Sequence, residues 1–406
     1  MFKISQKILD IQSSPTLALN DIARKLREEG ADVINLGIGE PLNDFPENAL
    51  LYTKKILETR QLKYGPTSGN QNLKLAIQSY TQEHYGRSPS LDNITVNFGA
   101  KQALFNLMHV LLDPEDEVIL FTPYWVSYPE MVKLARGKPV FIPTNDQLIP
   151  EMEKIIGAIT NKTKAILLNS PNNPTGAVYP PELIAALVDF CESRKIFLIM
   201  DDIYHQLLFD PAQWVPGYVF TSNPINKSHL IIVNGISKTY GMTGFRIGWA
   251  IGPELVIKAM NKIQSHSTSG VSGLLQEAAL GALLSGEESL QVLKEYIRTN
   301  RDILVTELSK IKGINITIPG GTFYCFPDFH EINPDSQALA SLLLEKAYVV
   351  TVPGIAFGKE SHLRLSFTCS TEQIIESAAR IRWAIDPESP REITIGGQTM
   401  LRDWEI

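Results

Sequence analysis

The 406-residue sequence lacks the features that mark membrane, secreted and metal-dependent proteins. No apolar run approaches the ~18 residues of a membrane span, and residues 1–14 mix lysines, an aspartate and serines, unlike a secretory signal. The three cysteines, Cys191, Cys325 and Cys369, are too few and too far apart for a disulfide framework or a CxxC metal motif. We therefore expect reduced thiols, no bound metal and a cytoplasmic location.

A basic surface is also lacking. The formal net charge is −7 and no dense Lys/Arg run occurs, so neither nucleic acid nor a membrane is expected as a partner. Hydrophobic residues make up 44% and charged residues 20%, which is the composition of an ordinary globular protein. The length suits two or three domains of roughly 100–200 residues each.

Short apolar runs alternate with amphipathic stretches through the middle of the chain. The strand-like runs lie at 93–98, 117–121, 164–169, 196–200, 230–234 and 248–252. Runs that are apolar throughout and separated by helical patterns predict an α/β fold with a mostly parallel sheet between helices. We expect this large domain to span 47–290.

A long helical pattern at 288–311 leads into a second region. Four strand-like runs follow, INITIP, TFYCFP, YVVTVP and LRLSF, and then the helical pattern TEQIIESAARIRWAI. We expect a smaller α+β domain built from both chain ends, 1–46 and 291–386. The polar tail, 387–406, has no role that we can assign, and partial disorder is the default expectation.

Polar or glycine residues follow almost every apolar run of the large domain. Because ligands of parallel sheets bind beyond the carboxyl ends of the strands, each cluster is a candidate contributor to one site. Gly99, Ala100 and Lys101 open a helix whose free N–H groups could bind phosphate, although a glycine turn is often only structural. Trp125 follows the next run, where it could stack on a flat ring or lie in the core.

Three further clusters carry chemical groups. Asn173, in SPNNPTG, would project an amide into the crevice unless the segment is merely a turn. Asp201 and Tyr204 supply an acid and a phenol, although the acid could instead cap the next helix. Lys238, after Ser237, is either a surface charge or an amine that forms Schiff bases once its pKa is lowered. Together the clusters are a full set of partners for a phosphorylated pyridine aldehyde.

The order of the motifs carries a family resemblance. The motifs are VINLGIGEP, KYGPTSGNQNL, GAKQALFNL, TPYWVSYPEM, NSPNNPTGAVY, DDIY, NGISKTYGMTGFRIGW, GTFY and LRLSF. From about residue 10 to residue 386 the chain resembles class I aminotransferases of fold type I, most closely the bacterial-type aspartate aminotransferases. The resemblance implies a seven-stranded sheet, pyridoxal 5′-phosphate as cofactor, ping-pong transfer of an amino group to a 2-oxo acid, and a homodimer with shared active sites.

The resemblance also implies roles for single residues at the cofactor ring. Lys238 would hold the cofactor as a Schiff base and afterwards move the substrate proton. Asp201 would keep the pyridine nitrogen protonated. Tyr204 and Asn173 would hydrogen-bond the phenolic oxygen, and Trp125 would stack on the ring; Trp125 and Asn173 would also touch the substrate.

The phosphate is implied to bind Ser237, Arg246 and the backbone at Gly99, Ala100 and Lys101. Tyr64 resembles the tyrosine that reaches a phosphate across the dimer interface, although alone it could be a core residue.

The substrate carboxylates are implied to meet separate groups. Arg364 resembles the clamp on the α-carboxylate, helped by the N–H of Gly39, although it could be an edge-strand arginine. Lys101 and Thr16 would face the distal carboxylate and favour aspartate and glutamate; alternatively, Lys101 only supports the helix N-terminus.

Several points stay open at the level of sequence. An aromatic or prephenate aminotransferase of the same fold is the main alternative, and a pyridoxal-phosphate-dependent lyase is a more distant one. The loop at 42–46 departs from the family pattern, and Asp202 stands where glutamate is commoner.

Overall fold

The computed structural model describes residues 4–11 and 15–404. Its helices are α1 (Gln6–Leu9), α2 (Pro15–Glu28), α3 (Glu47–Glu58), α4 (Gln71–Tyr85), α5 (Gly99–Leu111), α6 (Ser127–Leu134), α7 (Met152–Ala158), α8 (Pro181–Arg194), α9 (Glu254–Ser265), α10 (Gly273–Ser285), α11 (Glu287–Leu308), α12 (Ser336–Ala347) and α13 (Thr371–Ile385). Its strands are β1 (Ile34–Asn35), β2 (Ile94–Asn97), β3 (Glu117–Thr122), β4 (Lys138–Pro143), β5 (Thr163–Asn169), β6 (Phe197–Asp201), β7 (Leu230–Gly235), β8 (Gly248–Ile251), β9 (Tyr324–Cys325), β10 (Val349–Val350), β11 (Val352–Pro353), β12 (Leu363–Ser366), β13 (Glu392–Ile395) and β14 (Gln398–Leu401).

A seven-stranded sheet forms the centre of the large domain. Its strand order is β2-β8-β7-β6-β5-β3-β4, in which β3 to β7 run parallel and β8 is antiparallel to both neighbours. The predicted α/β fold class is confirmed. The edge strand β4 was not predicted, because Lys138, Pro139 and Pro143 interrupt its apolar run and Ile142 is its one buried residue.

Helices cover both faces of this sheet, which explains why its central strands are apolar throughout. Leu107 of α5 and Met260 of α9 belong to the cluster on one face. Ile77 of α4, Leu187 of α8 and Ala278 of α10 belong to the cluster on the other. Polar side chains are therefore left to the strand ends, where a ligand can reach them.

The smaller α+β domain combines segments that are distant in sequence. Strand β1 pairs in parallel with β10, while β11, β12 and β9 form an antiparallel sheet against α11, α12 and α13. The expected strand INITIP does not form, since Asn315 makes a single bridge to Asp328 and Ile318 stays 65% exposed. The expected strand YVVTVP is split at Thr351 into β10 and β11, which belong to different sheets.

The tail forms a hairpin, which corrects the expectation of partial disorder. Strands β13 and β14 are antiparallel and meet at Gly396 and Gly397, whose φ angles of 55° and 80° suit a tight two-residue turn. The Trp404 ring packs edge-on against Trp383 of α13 at 5.1 Å. Arg402 donates hydrogen bonds to four backbone carbonyls at and beyond the end of α13, those of Trp383, Asp386, Pro387 and Ser389.

The three cysteines are buried and unpaired. Within residues 4–11 and 15–404 there is no helix that is both long and apolar enough to cross a membrane. The same ranges contain no group of three or more His, Cys, Asp or Glu side chains placed to hold a metal ion.

Candidate active site

A cavity of about 500 Å³ opens beyond the carboxyl ends of the central strands, where the small domain meets the sheet. Most of the side chains singled out from the sequence line it. These are Gly39, Ala100, Lys101, Trp125, Asn173, Asp201, Tyr204, Ser237, Lys238, Arg246 and Arg364. The structure thus brings together residues that follow five strands of the sheet, Arg246 before β8, and Gly39 and Arg364 of the small domain.

Three predicted residues do not line this cavity. Gly99 lies directly behind it, at the first position of α5. Tyr64 projects from the loop between α3 and α4 and is 98% exposed, so its side chain is almost uncovered by the residues that the structure describes. The side chain of Thr16 lies outside the described part of the structure.

Lys238 follows β7 and carries a primary amine with a lowered pKa. Its Nζ donates to the carbonyl of Gly39 at 2.6 Å. The pKa of Lys238 is lowered to about 8, mainly by burial; Glu40 acts against this, and Arg364 and Arg246 add to the lowering. A larger fraction of the amine is therefore neutral near physiological pH, which is the form that attacks a carbonyl.

Asp201 ends β6 and is buried, with 3% of its surface exposed. Its Oδ2 accepts the hydroxyl of Tyr128 at 2.7 Å. The pKa of Asp201 is raised to about 6, because burial outweighs the lowering by the hydrogen bonds from Tyr128 and the Ile203 N–H and by the charge of Lys238. A cation placed against this carboxylate would favour its ionised form.

The N-terminus of α5 forms an anion cradle. Gly99 has a φ of 81°, which favours glycine, and a Cβ atom there would lie 2.6 Å from Nη2 of Arg246 and displace this group. A Cβ atom at Gly248 would collide with the backbone nitrogen of Ala100. Free N–H groups, the helix dipole, the hydroxyl of Ser237 and the guanidinium of Arg246 thus converge on one corner of the cavity.

Arg364, on β12, is 3% exposed and held from several sides. Its Nη1 donates to Oδ1 of Asn173 at 3.0 Å and its Nη2 to the carbonyl of Gly37 at 2.8 Å. The guanidinium carbon lies 4.3 Å from the ring centre of Tyr324 and 5.1 Å from that of Phe357. Nε has no partner among the described residues, so this buried cation keeps an unused donor.

Lys101 and Trp125 form the rim above the sheet. The Nζ of Lys101 lies 4.9 Å from the ring centre of Trp125. Burial lowers the pKa of Lys101, and the charge of Arg246 adds to the effect. Lys101 and Arg364 are therefore two separate cations on the wall of one cavity.

Among the lining residues that sequence reasoning missed, three contact the predicted site residues directly: Asn169, Tyr128 and Tyr324. Asn169 ends β5; its amide donates to the Asp201 carbonyl at 2.8 Å, and its oxygen accepts the Asn173 N–H at 2.8 Å. The signal for Tyr128 was its position three residues after Trp125, which is about one helical turn. Tyr324 stood inside the quoted motif GTFY.

The two departures from the family pattern lie beside the cavity. Asp202 is buried, and burial together with the neighbouring Asp201 raises its pKa well above the ordinary value. In the 42–46 loop, the carbonyl of Asp44 accepts the Ser289 hydroxyl and the Phe45 ring packs edge-on against Phe245.

The cavity fits pyridoxal phosphate. It supplies an amine of lowered pKa for an aldehyde, a buried carboxylate for a ring nitrogen and a glycine-dependent cradle for a phosphate. Fold and cavity together are those of a pyridoxal-phosphate-dependent enzyme.

The chain belongs to the class I and II aminotransferases, whose family model matches residues 31–381. The aspartate/prephenate aminotransferase of Thermus thermophilus is 39% identical, over 93% of this chain and 97% of that protein. The aspartate aminotransferase of Geobacillus stearothermophilus is 37% identical, over 94% of this chain and 98% of that protein.

Solved structures agree with this membership. The Thermus thermophilus aspartate aminotransferase with maleate has a TM-score of 0.89 at 39% identity, covering 94% of this chain and 99% of that one. The Rhizobium meliloti aspartate aminotransferase has a TM-score of 0.90 at 36% identity, covering 95% of this chain and 99% of that one. The protein is therefore an aminotransferase that depends on pyridoxal phosphate.

Proposed function

We propose that this aminotransferase prefers dicarboxylic substrates, aspartate and glutamate with their 2-oxo acids. The observation that carries the proposal is the pair of cations on one cavity wall, Arg364 and Lys101. The planar guanidinium of Arg364 would bind the α-carboxylate, and Lys101 at the rim would meet the distal one. The names of the Thermus and Geobacillus relatives support the same substrate class.

The reaction steps follow from the residues around the cavity. When bound, the cofactor supplies an electron sink for the substrate Cα. Lys238 would hold the cofactor and then carry the proton from the substrate Cα, which its lowered pKa allows. Asp201 would hold the positive charge on the ring nitrogen, Tyr204 and Asn173 would donate to the phenolic oxygen, and Trp125 would cover the ring face.

The anion cradle would hold the phosphate through Ser237, Arg246 and the N–H groups at Gly99 and Ala100. A homodimer completes this proposal, since Tyr64 is almost fully exposed and reaches no phosphate site in its own chain. Tyr64 of one protomer would meet the phosphate of its partner. The same proposal includes the division of the chain into a large domain, 47–290, and a small domain, 1–46 and 291–386. It also includes a cytoplasmic location, which is consistent with the buried free thiols.

Prephenate is the second candidate substrate. Four relatives carry aspartate/prephenate in their names. Prephenate, like aspartate, presents two carboxylates, so the same two cations would serve it. A lyase activity finds no comparable support among these relatives.

Transfer from single amino acids tests the proposal. The cofactor-loaded protein is mixed with one amino acid at a time, without an acceptor, and the visible absorbance is followed. We expect fast conversion with aspartate and glutamate and slow conversion with alanine. Fastest conversion with aromatic amino acids would overturn the substrate class.

Lys101→Ala tests the distal cation. Losing a charge-assisted hydrogen bond should lower kcat/KM for aspartate about 10- to 100-fold and leave alanine nearly unchanged. Lys312→Ala, an exposed lysine outside the cavity, is the matched control. Equal losses for both amino acids would remove Lys101 from specificity.

A further inference from the structure

Tyr324 occupies a position between the groups proposed to bind substrate and those proposed to bind cofactor. It begins β9, pairs with Ser366 of β12 and is only 2% exposed. The turn before it is strained, because Thr322 adopts a φ of 65°, rare for a β-branched residue. The hydroxyl of Thr322 accepts the Tyr324 N–H at 3.0 Å, which fixes the start of the strand. Backbone strain of this kind persists at sites where the orientation of a side chain matters for function.

The ring of Tyr324 supports the Arg364 guanidinium. The guanidinium carbon lies 4.3 Å from the ring centre, closer than to the Phe357 ring at 5.1 Å. The guanidinium thus lies against two aromatic rings, while its terminal nitrogens donate to Asn173 and to the carbonyl of Gly37. Removing the nearer ring would let the fork tilt away from a carboxylate.

The hydroxyl of Tyr324 meets two other parts of the site. It lies 3.4 Å from the hydroxyl of Tyr204. It also sits where a side chain at Gly39 would have to be, which explains why that position is glycine. If Tyr204 donates its one hydroxyl hydrogen bond to a cofactor oxygen, the Tyr324 hydroxyl would be the donor between the two phenols.

We propose that Tyr324 is a positioning residue that orients the α-carboxylate clamp with its ring and supports the Tyr204 hydroxyl with its own. The proposal rests on the proposed function, because it deepens the assignment of Arg364 and Tyr204. A purely structural role for the same residue would require only that the ring fill space. The proposed roles of the ring and of the hydroxyl can therefore be tested separately.

Tyr324→Phe tests the hydroxyl. A hydrogen bond donated to the Tyr204 hydroxyl would strengthen the hydrogen bond that Tyr204 donates to the phenolic oxygen of the cofactor. The stronger bond would favour the deprotonated form of the bound cofactor. Losing it should raise the pH midpoint of the bound-cofactor absorbance by about half a unit, while KM stays within about twofold. The control is Tyr218→Phe, another buried tyrosine, which lies outside the cavity. A midpoint equal to those of the wild type and the control would overturn this half of the proposal.

Tyr324→Leu tests the ring. We expect KM to rise about tenfold for aspartate and alanine alike, with their ratio unchanged, because the clamp serves every α-amino acid. Phe367→Leu, a buried aromatic outside the cavity, is the control for lost packing. A KM equal to that of the control would overturn the ring's role, as would a rise confined to aspartate or an equal rise in Tyr324→Phe.

The two tests separate this inference from the proposed function. If the wild-type protein converted no amino acid, the proposed function would fail, yet the pH midpoint of the bound cofactor would still report on the Tyr324 hydroxyl. If Tyr324→Leu failed to fold, Tyr324→Met would test the ring in its place, and Tyr324→Phe, which keeps the ring, would still decide on the hydroxyl.

Discussion

At the scale of single residues, neighbouring charges move the pKa of Lys238 in opposite directions. Its pKa of about 8 results from burial and nearby cations, with Glu40 acting against them. In the cofactor-free protein, the rate of cofactor capture should therefore rise with pH through a midpoint near 8, since the neutral amine reacts.

Glu40→Gln should move that midpoint to lower pH, because the substitution removes the charge that raises the Lys238 pKa. Stopped-flow absorbance after cofactor addition, repeated across neutral and alkaline pH, measures it. Asp44→Asn, an exposed acid in the same loop but outside this cavity, serves as the control. A wild-type midpoint near 10.5, the ordinary lysine pKa, would contradict this explanation of the Lys238 pKa.

Tyr128 provides a second prediction at this scale. Its hydroxyl lowers the Asp201 pKa, so Tyr128→Phe should raise that pKa and leave more of the carboxyl protonated as pH falls. Cofactor affinity should then be lost at a higher pH than in the wild type. Equilibrium titration with cofactor at mildly acidic and at neutral pH would measure this change in affinity. The same dependence of affinity on pH in the two proteins would contradict the prediction.

At the scale of elements, the tail hairpin acts on α13. The Arg402 cation sits among the carbonyls that end this helix, where the dipole is negative. Arg402→Ala should lower the free energy of unfolding by about 2 kcal/mol, measured in urea. Arg391→Ala, an exposed arginine next to β13, should change it little. Equal stabilities of the two variants would mean that the hairpin leaves the helix unsupported.

Elements also show how far the sequence could predict the structure. The central strands were recognisable because burial on both faces leaves continuous apolar runs, and their polar ends pointed to the site. Strand β4 and the hairpin at Gly396 were missed because edge position and turn geometry leave weaker patterns. Tyr128 and Tyr324 were missed as site residues because their contacts with Asp201 and Arg364 arise only in the folded chain.

At the scale of the whole molecule, the proposed dimer makes a complementation prediction. Tyr64→Ala and Lys238→Ala protomers would each form weak or inactive homodimers. In a mixed dimer, one active site carries both defects and the other carries neither, so about half of the wild-type sites should work. Refolding the two variants together and separating the hybrid by a tag would measure this. A hybrid no more active than the parents would show that Tyr64 serves its own chain.

The pairing of β1 with β10 has a consequence during protein synthesis. The strands of the seven-stranded sheet leave the ribosome in one continuous stretch, and domains generally fold as they emerge. The segment around Ile34 emerges first, yet its partner Val349 lies near the other end of the chain. We therefore expect β1 to stay without its partner strand until β10 has left the ribosome, with the apolar side chains of Ile34 and Leu36 open to chaperones that recognise such segments.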